Sequence, residues 1–243
     1  MDCGARRRRG NRIIERGTQA AGILVFSRRQ KKGVAMTEKR KGLVALLNAL
    51  GVRELDADAS YKFALQLDRL IEQAIKDSAH VRSASESHPG WAYEPVQVRY
   101  FGDTVVFFWP LKSDLSEVVN LDHELRAPLH GLLETMALLG QFMHASFNEG
   151  VRFRGAVAFG EFVWDSSRVI GPAVAEAAAC ECYGDWLGVM TVPNLTARLA
   201  AGLTSHYDFA RLRAPLAAYT VRYESVPSKT GGSVPAWVSA WPL

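Results

Sequence analysis

The sequence is poor in cysteine and lacks any long apolar run. Its 243 residues include three cysteines, and its apolar stretches fall far short of the ~20 residues that a membrane-spanning helix needs. Cys180 and Cys182 lie too close together for an ordinary disulfide, and with Cys3 they form no metal-binding spacing. We therefore expect buried free thiols, a cytoplasmic location and no membrane association.

The chain also lacks an even distribution of positive charge. Residues 1–41 hold 13 Lys or Arg against 3 Asp or Glu, a balance of +10, whereas the remainder holds 16 against 22, a balance of −6. A nucleic-acid-binding arm is one interpretation of the basic segment. The other is a disordered leader, which lies outside the translated protein if translation starts at Met36. The charges lack the aromatic interleaving of a recognition arm. We predict a basic, disordered leader over 1–41, one domain over 42–243 and no nucleic-acid partner.

Hydrophobic periodicity predicts an α+β domain. The predicted strands cover 42–47, a hairpin at 96–109, 151–162 as a strand pair, 187–192 and parts of 219–243. The predicted helices cover 58–78, 121–148, 174–182 and a segment from Pro193. The order β-α-β-β-α-β with appended elements is typical of the split βαβ, ferredoxin-like fold, with an antiparallel-rich sheet and helices on one face.

The hairpin places a carboxylate at its tip. Two runs of strand-forming residues between Val98 and Phe108 flank the pair Gly102-Asp103, which predicts the turn. An acidic tip with the basic Arg99 four positions upstream suits a divalent metal held against a polyphosphate. The alternative is that Asp103 only forms the turn.

Three segments and the C-terminal Trp237–Pro242 together carry a family resemblance. The segments are the apolar strand 42–52 with Gly51 and Val52 at its end, the hairpin 101–103, and the Arg-Gly strand 153–160 followed by 169–174. From Gly42 onward the chain resembles the class III nucleotidyl cyclases, and most closely the pyrimidine cyclases of bacterial anti-phage Pycsar systems. The resemblance covers about 200 residues and implies a class III nucleotidyl cyclase domain over 42–243.

The resemblance implies a two-metal site. It assigns two divalent ions, Mg²⁺ or Mn²⁺, to Asp103, Asn48 and the Leu47 backbone, where they would activate the attacking oxygen and stabilise the leaving one. Asn48 stands where the family has an Asp, so one negative charge is missing; as an alternative, it is a plain turn residue. The backbone after the strand would bind the triphosphate, through Ala49, Leu50 and Gly51.

A second departure concerns the arginine that meets the transition-state charge. The family's purine enzymes carry an Asn and an Arg in the helix after Gly171, and those places fall at Ala175 and Ala179 here. Another arginine must then stabilise the charge of the transition state. The candidates are Arg152, Arg154 and Arg168. The catalytic residues that we predict are Asp103, Asn48 and Arg154.

A third departure concerns the base. Where similar adenylyl cyclases use a lysine and an acidic residue, this chain has Arg99 and Arg168. Guanidinium groups only donate hydrogen bonds, so they suit a base rich in carbonyl acceptors. Uracil has two ring carbonyls, which favours UTP over ATP and leaves CTP as the alternative.

The resulting prediction is an enzyme, a nucleotidyl cyclase that converts UTP to cyclic UMP and pyrophosphate. The resemblance implies a homodimer with active sites at the interface, and a cyclic-nucleotide-gated effector that acts through the product in anti-phage defence. One alternative is an impaired cyclase-like domain that binds nucleotide or a partner without turnover, which Asn48, Ala175 and Ala179 favour. Another is a nucleic-acid-binding protein that uses the basic segment.

Overall fold

A computed structural model describes residues 38–52, 54–86, 93–112, 121–165, 168–183, 186–205, 208–229 and 231–239. Contacts divide the chain into two compact units, Met1–Ala35 and Met36–Leu243, and every described residue belongs to the second. The predicted leader lies outside the described residues except for positions 38–41, which form the start of the first strand. Trp241 and Pro242 also lie outside them.

The first six elements form the predicted split βαβ arrangement. They are β1 (Glu38–Leu50), α1 (Ala57–Glu86), β2 (Gln97–Phe101), β3 (Thr104–Pro110), α2 (Leu121–Asn148) and β4 (Arg152–Trp164). Their strands lie in the order β2-β3-β1-β4, and each neighbouring pair is antiparallel. The predicted α+β class is confirmed.

Within the described residues, seven further elements extend this unit. They are β5 (Val169–Ile170), α3 (Pro172–Tyr183), β6 (Gly188–Thr191), α4 (Pro193–Ser205), α5 (Asp208–Tyr219), β7 (Thr220–Pro227) and β8 (Ser233–Ser239). Strand β6 runs parallel to β4, β8 and β7 continue the sheet beyond it, and β5 pairs with the end of β4. None of the described helices contains an 18-residue stretch apolar enough to cross a membrane.

Three element predictions were wrong in detail. Segment 151–162 is part of one strand, β4, rather than a strand pair. A Cβ at Gly155 would lie 2.5 Å from the carbonyl oxygen of Leu46, so this glycine serves close strand packing and not a turn. Helix α1 continues to Glu86, beyond the predicted end at 78. Helix α5 was not predicted, because it contains Pro215 and has a weak apolar stripe.

The two faces of the sheet carry different helices. Phe142 of α2 contacts Phe107 and Phe153, with ring centroids 5.3 and 4.9 Å apart, so α2 and its neighbour α1 cover that face. Helix α3 packs on the opposite face, over β1 and β4, where a Cβ at Gly160 would lie 3.5 Å from the side chain of Ala173. The expectation of helices on one face only is thus corrected for α3, whose small residues allow this close packing. We call this side of the sheet the α3 face.

A buried ion pair joins α1 to α2. The Nη1 of Arg82 donates to Oε1 of Glu134 at 3.0 Å, and only 2% of the Glu134 side chain is exposed. Within the described residues, Oε2 of Glu134 has no hydrogen-bond partner. Burial raises the pKa of Glu134 to about 7, an effect that Arg82 opposes and the nearby Glu86 reinforces.

This raised pKa predicts a pH-dependent stability. Between about pH 4.5 and 7 the folded state binds more protons at Glu134 than the unfolded state, so the free energy of unfolding should fall as pH rises. The contribution is on the order of 3 kcal/mol. Chemical denaturation across this range should show the decline in the native protein and lose it in Glu134→Gln.

The control is Glu149→Gln, which removes the exposed Arg69–Glu149 ion pair near the middle of α1. Its free energy of unfolding should change with pH nearly as that of the native protein does, because exposed ion pairs contribute little to stability. Identical profiles for Glu134→Gln and the native protein would contradict the assignment.

Candidate functional site

The β2–β3 hairpin brings Asp103 to the end of β1. Phe101 pairs with Thr104, so Gly102 and Asp103 form a two-residue turn, and the φ of 62° at Gly102 fits a glycine at its first position. The Ala49 N–H donates to the Asp103 carbonyl at 2.7 Å. This bond fixes the hairpin tip against the end of the central strand.

Three side chains form a row across neighbouring strands beside this tip. Asn48 on β1 lies in register with Thr104 on β3 and with Arg154 on β4, and all three point to the α3 face. The Thr104 hydroxyl donates to Asn48 Oδ1 at 2.6 Å and lies 3.4 Å from Asp103 Oδ1. The structure therefore brings together all three residues predicted as catalytic: Asn48, Asp103 and Arg154.

The oxygen atoms at this point fit a divalent cation of the Mg²⁺ or Mn²⁺ class. Asp103 offers a carboxylate, Asn48 an amide carbonyl and Thr104 a hydroxyl, and these are the hard donors that such ions bind. Among the described residues, no group of three or more His, Cys, Asp or Glu side chains is placed to hold a metal ion. With one carboxylate, the set carries little negative charge for two dications.

Most of the backbone predicted to bind phosphate lies within the strand ladders of β1 instead. Leu47 lies inside the β1–β3 ladder, in register with Val105, and the Ala49 N–H is bonded to Asp103. Leu50 still lies in register with Arg152 of β4, at the end of the strand. Gly51 follows in a turn with a φ of 80° and open space around it. Of the predicted backbone positions, Gly51 is the one beyond the ladder.

Arg154 is held by a buried carboxylate from α3. Its Nε donates to Oε1 of Glu181 at 2.6 Å; 24% of the Arg154 side chain is exposed but only 1% of the Glu181 side chain. Ala175 and Ala179, the positions at which the resemblance had implied a transition-state pair, lie on the exposed side of the same helix. The charged group that α3 contributes to the row is thus Glu181.

The two predicted base-contacting arginines meet around an acidic residue. The Arg99 guanidinium lies 4.2 Å from the ring centroid of Trp164, on the α3 face. Burial lowers the pKa of Arg99, and Asp165 opposes this. Asp165 also accepts the Arg168 backbone N–H at 2.8 Å, with Arg168 Nε 3.8 Å from its other oxygen. Arg99 pairs with Val106, two positions along β3 from Thr104, whereas Trp164 lies ten positions along β4 from Arg154.

A cleft of about 480 Å³ opens on the other side of the hairpin. Its lining residues come from the first half of α1, the end of β1 and the hairpin: Val52, Ser60, Phe63, Ala64, Leu67, Tyr100, Phe101, Gly102 and Asp103. The Tyr100 hydroxyl donates to Asp68 of α1 at 2.8 Å beside this cleft. Asp103 is the only predicted site residue that reaches the cleft, since Asn48 and Arg154 point to the α3 face.

Sequence reasoning missed Thr104, Glu181 and Asp165. Thr104 had a signal, because it follows Asp103 and begins β3, the strand that pairs with β1 at Asn48. Asp165 also had one, as an acidic residue three positions before Arg168 in a strand-ending loop. Glu181 had none, because its partner Arg154 is 27 positions away on another element. The predicted free thiol is observed at Cys180, which is buried.

Comparison with known proteins gives structural neighbours only. No family model and no curated protein matches the sequence. Among solved structures, the chain is similar to an adenylate/guanylate cyclase/hydrolase from Silicibacter pomeroyi, at 15% identity and a TM-score of 0.40, covering 84% of this chain and 99% of that one. It is also similar to a class III adenylyl cyclase-like ATP-binding protein from Pseudomonas aeruginosa, at 11% identity and a TM-score of 0.42, covering 74% and 40%.

Proposed function

We propose that this chain is a nucleotidyl cyclase that converts UTP to cyclic UMP and pyrophosphate. The observation that carries the proposal is the row of Asn48, Thr104 and Arg154 with Asp103 at its end, which joins cation-binding oxygens to a guanidinium on one sheet face. A nucleoside triphosphate needs both chemistries, because its phosphates bind cations and planar guanidinium donors alike.

The proposed reaction is an intramolecular phosphoryl transfer. The 3′ oxygen of the ribose forms a bond to the α-phosphorus, the bond from that phosphorus to the β-bridging oxygen breaks, pyrophosphate leaves, and the hydroxyl proton passes to water. A divalent cation bound there would stabilise the developing charge on the phosphates. Asp103 and Asn48 would hold that cation, and Arg154 would donate hydrogen bonds to the phosphate oxygens.

The choice of uracil rests on the Arg99–Asp165–Arg168 cluster. Both guanidinium groups interact with Asp165, and guanidinium groups only donate hydrogen bonds. The pairing edge of uracil presents two carbonyl acceptors, which two such donors match. Cytosine and adenine each present an amino donor there, which arginine cannot accept.

The sequence resemblance extends the proposal beyond the chain itself. We infer a homodimer with its active sites at the interface, a cytoplasmic location, and a cyclic-nucleotide-gated effector that responds to the product in anti-phage defence. A second candidate function, nucleotide binding without turnover, is favoured by the neutral Asn48 and by the alanines at 175 and 179.

Turnover of the four common triphosphates separates these two functions. Incubated with Mn²⁺ and each triphosphate, the protein should form cyclic UMP, and Asn48→Asp should raise the rate by about one to two powers of ten, because a second carboxylate binds the cations better. Product separation by chromatography is the measurement. Asn148→Asp, which adds the same charge at the end of α2, is the matched control and should leave the rate unchanged. Equal rates for Asn48→Asp and the native protein would show that Asn48 is not a metal position.

Asp103→Asn tests the cation site directly. The variant keeps the size of the side chain and removes the one carboxylate of the row, so Mn²⁺-dependent UTP binding, followed by calorimetry, should weaken at least about tenfold, with little change in the melting temperature. Asp77→Asn, on the exposed side of α1, is the control. Unimpaired Mn²⁺-dependent binding in Asp103→Asn would overturn the assignment.

The base prediction is tested by Arg168→Gln. Loss of this guanidinium should lower kcat/KM for UTP by about one power of ten and narrow the preference for UTP over ATP, because a carbonyl of uracil loses its donor. Arg222→Gln, which removes an exposed ion pair on β7, should change neither quantity. A larger loss for ATP than for UTP would contradict the assignment.

A further inference from the structure

Among the described residues, the guanidinium of Arg154 has a hydrogen-bond partner at one edge and none at the other. Its Nε donates to Glu181 at 2.6 Å, and its terminal nitrogens form no hydrogen bond with any described residue. Only about a quarter of this side chain is exposed, with Asn48 in register beside it. A half-buried guanidinium with unused terminal donors is suited to bind a planar or tetrahedral oxyanion.

Glu181 restricts the rotation of the Arg154 side chain, so its terminal nitrogens keep one orientation. Its side chain is 1% exposed on α3, and α3 packs closely on β1 and β4. A buried carboxylate needs a hydrogen-bonded cationic partner, so the pair holds the guanidinium in one orientation. The pair has no net charge. Arg154 therefore acts through directed hydrogen bonds rather than through a long-range positive potential.

The other two candidates for the transition-state arginine, Arg152 and Arg168, are placed differently. Arg152 lies over the Phe147 ring at 3.8 Å and donates to the Phe147 carbonyl at 3.0 Å, at the exposed start of β4. Arg168 is 65% exposed in the loop beside Asp165. Of the three, only Arg154 lies in register with Asn48 and points to the same face.

We propose that Arg154 is the arginine that contacts the α-phosphate during cyclisation, and that Glu181 is the residue that positions it. This inference rests on the proposed function and deepens it, since it names the group that replaces the absent transition-state pair of α3. The contact forms with the bound phosphates and strengthens as the α-phosphorus gains its fifth oxygen neighbour and the pyrophosphate departs, so its loss lowers turnover more than it weakens binding.

A double-mutant cycle with Arg154→Lys and Glu181→Gln tests the proposal. With UTP and Mn²⁺, Arg154→Lys should lower kcat about 100-fold, and Glu181→Gln should lower it about 10-fold while KM changes less than about twofold. In the Arg154→Lys background, Glu181→Gln should have little further effect, because the residue acts through the arginine. Fully multiplicative losses, or a Glu181→Gln effect on KM alone, would overturn it.

The exposed pair Arg69–Glu149 supplies matched controls, Arg69→Lys and Glu149→Gln. Both should leave kcat and KM unchanged. Glu181→Asp covers the case in which Glu181→Gln fails to fold: it keeps the charge but shortens the reach, so kcat should fall while the melting temperature is retained. A Glu181→Asp protein with native kcat would also overturn the positioning role.

A binding measurement distinguishes failure of this proposal from failure of the proposed function. If the native protein and Asn48→Asp make no cyclic product from any triphosphate, the cyclase function is wrong. The affinity for inorganic tripolyphosphate in the presence of Mn²⁺ then tests whether Arg154 contacts phosphate. A loss of about tenfold in Arg154→Lys, with none in Arg69→Lys, supports Arg154 as the phosphate contact. Equal affinities in these variants overturn it.

Discussion

The structure depends on β1, a strand that is buried on both faces and hydrogen-bonded along both edges. Its pairing with β3 and β4 sets one register for all three strands. A slip by one residue would bring a side chain to the place of Gly42, where a Cβ would lie 2.1 Å from the Trp109 carbonyl oxygen, so close packing enforces the register. The placement of Asn48, Thr104 and Arg154 in one row is a direct consequence of this constraint.

Much of the fold could be predicted because its elements have strong local patterns. The apolar run in β1, the Gly-Asp turn and the long stripe of α2 each determine an element without help from the rest of the chain. The errors occurred where tertiary packing outweighs local pattern. Gly155 looks like a turn residue, although its role is to let two strands approach, and α5 forms despite its internal proline.

The site could be predicted only where its members lie at the ends of elements. Asn48, Asp103 and Arg154 stand at strand ends or a hairpin tip, where pairing rules bring them together. The partners of the arginines could not be found in this way. Whether Glu181 reaches Arg154 depends on how α3 crosses the sheet, and that crossing follows from small residues such as Gly160 and Ala173. The same packing put α3 on a face where no helix was predicted.

The pairing of Asn48 with Arg154 has a consequence for how the protein reaches its native state. The two residues are about 100 positions apart in the chain, and contacts of such long sequence separation slow folding because a large loop must close before they form. During synthesis on a ribosome, β1 is complete long before β4 emerges, and until then its apolar residues lack the strand that pairs with them. The row that carries the proposed chemistry is therefore assembled late, and substitutions that slow β1–β4 pairing should reduce the yield of folded protein even where they leave its final stability unchanged.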